Sequence, residues 1–145
     1  MKEEFIRYLK SIGMTEPLHE RIEEIYQFCT ERCPDEIRDI FVTDYIKGDG
    51  SREYENLWFF SPKYCMEAKL FITKDDFDIV AIRNRVIRWA ILKENYDFKK
   101  ATEKSRLQLR FHLDTQVFGV LKASKENCDY LKEILVKYIA ANLKE

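Results

Sequence analysis

The sequence predicts an α+β fold dominated by antiparallel strands: two leading helices, seven strands and a closing helix. Three observations carry this. The apolar period switches from helical to alternating near Asp39, and back to helical after Ser124. Short turn signals separate the alternating runs, which argues for antiparallel pairing. No strand–helix–strand crossover lies between Asp39 and Ala123, so a doubly wound fold is disfavoured.

Lys2 to Ile12 reads as a short helix with Phe5, Tyr8, Leu9 and Ile12 on one face, ended by Gly13. Thr15 and Pro17 start a second helix that runs to about Arg32. Its apolar stripe is Leu18, Ile22, Ile25, Tyr26 and Cys29. Pro34 breaks it. Ile40 to Ile46 is β-branched and aromatic, and Lys47-Gly48-Asp49-Gly50-Ser51 turns the chain. Strands follow at Tyr54 to Phe60, Tyr64 to Thr73, Phe77 to Ile82 and Val86 to Leu92. Asp75 and Asp76 cap backbone amides in one of the turns. Glu94 to Ser105 is polar and reads as a long loop or one helical turn.

Arg106 to Leu113 alternates most cleanly. Leu107, Leu109, Phe111 and Leu113 face one way; Arg106, Gln108, Arg110 and His112 face the other, toward solvent. Gln116 to Ala123 is its hairpin partner, and Ser124 caps a long amphipathic helix. Leu57-Trp58-Phe59-Phe60 cannot all point inward on one strand, so Trp58 and Phe60 are expected to meet the leading helices. Trp89 is expected to turn into the core.

A chain of 145 residues, 46% hydrophobic and with ten Phe, can bury a core without disulfides or metal. Its formal charge of -1 disfavours a general nucleic-acid binder. No apolar run is long enough to span a membrane, and the first residues are too charged for a signal peptide. Cysteines 29, 33, 65 and 128 lack framework spacing and read as buried thiols of a cytoplasmic protein.

Seven antiparallel strands and a final helix, with VFGVLKA leading into ENCDYLKEILVKYI, resemble the pleckstrin-homology-like superfold over about residues 37–143. Ahead of it, residues 1–36 read as a helical extension packed on a unit at 37–145. That unit is either a seven-stranded barrel or two near-orthogonal sheets, capped by the C-terminal helix. Many members plug the barrel with a Trp from that helix; here Tyr130, Leu131, Ile134 and Leu135 take the place, and Tyr138 lies on the same apolar stripe as a further structural residue. Trp58 and Phe60 join them as structural residues.

Members include phosphoinositide binders, peptide binders and scaffolds, so the superfold leaves function open. Its lipid binders carry basic residues around the first strand turn, which Lys47 and Arg52 match; with Arg83, Arg85 and Arg88 of the later basic segment they make the candidate basic rim. Asp49, Glu53 and Glu55 crowd the same stretch and oppose a phosphate. Arg106, Arg110 and His112 form a second candidate, a basic strand face. Between Arg83 and Arg110 there are nine basic residues against three acids.

His19 and His112 lack metal-ligand or relay spacing, and Cys29-x₃-Cys33 within a helix is unlike a zinc turn. No phosphate loop, nucleophile elbow or zinc-protease motif occurs. The expectation is a non-enzymatic binding or scaffold domain, without cofactor or metal, that takes a protein or peptide. An acidic or phosphorylated ligand and homo-oligomerisation through strand edges are further uses of the same surfaces. A phosphoinositide-binding adaptor is one alternative. Another is a small enzyme with His112, Asp114 and Glu67 gathered in the barrel mouth or the helix–barrel cleft.

Overall fold

The computed structural model describes residues 1–69, 71, 78–97, 103–113, 116–124 and 127–143. Two helices, α1 (Glu3–Ser11) and α2 (Glu16–Arg32), lead into the strands. Gly13 sits at φ 82°, the left-handed value that releases the chain between them, and Pro17 lies in the first turn of α2. Then come β1 (Asp39–Lys47), β2 (Arg52–Phe60), β3 (Tyr64–Ala68), β4 (Ile79–Arg83), β5 (Trp89–Asp97), β6 (Glu103–Leu113) and β7 (Gln116–Ala123). A 3₁₀ turn, Asn84–Val86, joins β4 to β5. The C-terminal helix starts as α3 (Cys128–Ile134), widens into a π-helical stretch at Leu135–Ala140, and ends at Ala141–Leu143.

The strands form two antiparallel sheets, β1 to β4 and β5 to β7, and not the closed barrel that was one expectation. Among the described residues the ladder that joins the two sheets is confined to Ile46 opposite Lys104 and Lys47 opposite Glu103. Beyond that point β1 departs from β6, and β7 takes its place beside β6. Among the described residues β4 and β5 are therefore edge strands, each paired on one side. The expected polar loop after Leu92 is partly strand: β5 runs to Asp97 and β6 begins at Glu103. Asp75 and Asp76 lie outside the described residues.

The core lies between the sheets. Trp58 meets Phe111 edge-on at 5.4 Å and stacks on Phe60 at 6.1 Å. Phe60 in turn stacks on Tyr138 of the C-terminal helix at 5.1 Å. Trp58 and Phe60 therefore face the second sheet and the closing helix, contrary to the expectation that they meet α1 and α2. The other face of β2 serves the leading helices: Tyr26 of α2 reaches Phe59 at 5.9 Å. Register puts Ile40, Phe59 and Met66 in one row under that layer. Strand alternation decides the matter, because Trp58 and Phe59 must point to opposite sides. Leu131, Ile134 and Tyr138 are buried and Leu135 is half-buried.

A bulge between Val42 and Asp44 changes the register of β1 on β2. At the bulge Thr43 Oγ1 accepts from the Asn56 amide at 2.8 Å and donates to its carbonyl at 3.3 Å, so a side chain completes the ladder. Asp44 is left wholly buried. It accepts from the Ser124 amide at 2.8 Å and the Ser124 hydroxyl at 2.6 Å. Ser124 is thus tied to β1, and Asn127 holds the N-cap position of α3.

Candidate functional site

The basic rim divides. Lys47 and Arg52 lie at one end of β2, whereas Arg83 and Arg85 lie beside the β2–β3 turn at its other end. Lys47 pairs with Glu53 at 3.0 Å, which raises the lysine's pKa. The guanidinium of Arg52 lies 3.3 Å from the buried Asp44 carboxylate and also donates to the Ile12 carbonyl. Burial pushes the Asp44 carboxyl up, while Ser124, Asn127 and Arg52 pull it back. Arg52 is accordingly a structural cation that pins the α1–α2 corner onto β1. Arg88 is exposed, and its amide donates to the His112 carbonyl at 2.9 Å.

The basic strand face also differs from expectation. His112 is only 6% exposed and stacks on Trp89 at 3.6 Å. Trp89, expected inside, is 41% exposed. It opposes His112 across the ladder, and β6 turns its other face, with Leu109 and Phe111, to the core. Gln108 is buried, Arg110 is half-buried, and the side chain of Arg106 lies outside the described part. Glu67 shares the inner face with Trp58, its cross-strand partner, while His112 lies on the outer face of the second sheet. They do not share a site, and Asp114 lies outside the described residues.

A site does form where β3 and β4 approach the end of α2. Two concavities share Tyr64. One is a groove of about 360 Å³ walled by Phe28, Cys29, Arg32 and Cys33 and floored by Met66, Ile79 and Ala81. The floor follows from register: Tyr64 opposes Arg83, Met66 opposes Ala81 and Ala68 opposes Ile79, so all these side chains share the α2 face. The groove is mostly apolar. Burial pushes the Cys29 thiol up to about 12, so it is an inert wall. Arg32 lies over the Phe28 ring at 3.7 Å and covers that aromatic.

The second concavity, a cleft of about 320 Å³, continues past the end of β4. Pro62, Lys63, Tyr64, Arg83, Asn84 and Arg85 line it. Lys63, Arg83 and Arg85 are exposed, and among the described residues no carboxylate lines the cleft. Its frame is rigid. Asn84, 1% exposed, donates through Nδ2 to the Ser61 carbonyl at 3.0 Å and the Pro62 carbonyl at 3.3 Å. The Asn84 amide donates to Lys63 at 2.8 Å. On the other side Asp35 accepts from the Lys63 amide at 2.8 Å and from Ser61 Oγ at 3.2 Å. Bonds from Asn84 and to the Asp35 carboxylate thus hold both turns, which leaves Lys63, Arg83 and Arg85 lining a pre-formed hollow.

Sequence reasoning found Arg83 and Arg85 but missed Lys63, Tyr64 and Asn84. Lys63 and Arg83 are twenty residues apart, and only the β3–β4 register joins them. The Arg83-Asn84-Arg85 turn was the one available signal.

Comparison with known proteins yields no match, whether to a family model, a curated protein or a solved structure. Among the described residues no group of three His, Cys, Asp or Glu is placed to hold a metal, and no helix is long and apolar enough to cross a membrane.

Proposed function

We propose that this chain is a non-enzymatic protein-interaction module that takes an extended, acidic peptide segment along the edge of β4. The carrying observation is the pair of concavities that share Tyr64 beside a strand that, among the described residues, is paired on one side only. An added strand gains affinity from the β4 backbone, and its alternate side chains enter the α2 groove. Lys63, Arg83 and Arg85 supply charge-assisted hydrogen bonds to an anion at the end of the groove. Rigid-body docking suits this site, since Asn84 and Asp35 already hold its turns.

A phosphoinositide reading through the first strand turn has less support, because Glu53 and Asp44 already engage Lys47 and Arg52. The test is affinity selection from a soluble pool of random octapeptides on the immobilised intact chain. The reading expects acidic peptides with alternating apolar residues to be enriched. It expects the Lys63→Glu/Arg83→Glu/Arg85→Glu variant, altered only at exposed positions, to lose that enrichment. No enrichment on the parent chain, or equal enrichment on the variant, would refute it.

A further inference from the structure

We infer that the anion read by the Lys63–Arg83–Arg85 cleft is the C-terminal carboxylate of the bound peptide, a deepening that rests on the peptide reading above. The position of the cleft carries the inference. Side chains of a strand added to β4 leave it across the sheet and enter the groove over Met66, Ile79 and Ala81. The cleft lies elsewhere, along the strand axis past Arg83, where β3 begins and β4 ends. What reaches that position is the continuing main chain of the ligand.

That main chain meets an obstacle. Beyond Arg83 the protein turns through the 3₁₀ segment Asn84–Val86. Its fold is fixed by the Asn84 bonds to residues 61 to 63 and by the Ile87 amide donating to the Asn84 carbonyl at 3.2 Å. The β4 edge ends there, so a ligand strand has no further ladder to follow. A chain that stops at this point leaves its carboxylate among three cations, with no acid among the described lining residues. Two guanidinium forks suit a planar carboxylate, and Lys63 adds a point charge across the cleft. To bring its C terminus to this end the peptide must run parallel to β4, which runs from Ile79 toward Arg83.

The test uses two octapeptide pools of identical random composition, one with free C-terminal carboxylates and one amidated, each offered to the intact chain. The expected result is at least about tenfold stronger enrichment from the carboxylate pool, with the difference lost in an Arg83→Gln/Arg85→Gln variant. Equal enrichment of both pools would overturn the terminal-carboxylate inference and leave the peptide reading standing. Preference for amidated peptides with internal Asp, Glu or phosphoserine would overturn it in the same way. Enrichment of neither pool would overturn both.

Discussion

Tyr8 and Asn127, at opposite ends of the chain, hydrogen-bond each other at 2.8 Å and together complete the backbone of Val42. The Val42 amide donates to Tyr8 Oη at 3.1 Å, and Asn127 Nδ2 donates to the Val42 carbonyl at 2.8 Å. Val42 lies on the stretch of β1 that has left β6. A closed barrel would satisfy those backbone groups with a strand; this fold uses a tyrosine from α1 and an asparagine from the start of the C-terminal helix. The opening between the sheets is thus sealed by side chains, and α1 is part of the seal.

Removing either partner leaves buried polar groups unsatisfied. Asn127 also donates to Asp44 at 3.2 Å, so Asn127→Ala should cost more than Tyr8→Phe. The expected losses are about 3 and about 1.5 kcal/mol. Because the two share one network, the double variant should lose about 1 kcal/mol less than the sum. Urea denaturation of the four proteins measures this.

Arg52 separates structure from binding. Arg52→Ala strips the buried Asp44 of its cation and should destabilise the fold by about 3 kcal/mol. Peptide affinity, measured below the denaturation range, should not change. A loss of binding in the folded variant would place the ligand at the first strand turn after all.

Glu67 makes stability depend on pH. It is 4% exposed, and burial pushes its carboxyl up to about 7 against the pull of Lys69. The folded value exceeds the ordinary 4.5, so the folded protein holds a proton that the unfolded chain releases. This contribution is fully present below about pH 4.5 and is lost as pH rises through about 7. Glu67→Gln keeps the side chain neutral. Thermal or urea unfolding from pH 5 to 9 should show the variant gaining on the parent above neutrality, by up to about 3 kcal/mol.

Gly119 tests the packing between the sheets. A Cβ there would come within 2.5 Å of both the Phe111 and Trp58 rings. Gly119→Ala should therefore cost about 1–3 kcal/mol and broaden the aromatic side-chain resonances of the core.

Local pattern made the helices, most strands and the closing helix legible, because period and turn chemistry are properties of neighbouring residues. The Trp58 and Phe59 faces were not legible. Alternation says they part, but which one faces the closing helix depends on where that helix lands. His112 shows the same limit. Its strand alternation was read correctly, yet Trp89 covers its ring from the neighbouring strand. Asp44 looked like an ordinary strand position, and only the bulge at Val42 and the return of Ser124 reveal it as a buried hub. The binding cleft was half visible for the same reason: Arg83 and Arg85 are two positions apart in sequence, whereas Lys63 joins them through strand pairing.

The most direct measurement of the central claim is a two-dimensional amide NMR titration of the intact chain with the best selected octapeptide. The account predicts saturable shifts along Ile79–Arg83, at Tyr64 and at the Asn84 side-chain amide, with Trp89–Leu92 unmoved. Shifts confined to Trp89–Leu92 would contradict it and transfer the binding surface to the opposite edge, where Trp89, Ile91 and Leu92 stand exposed.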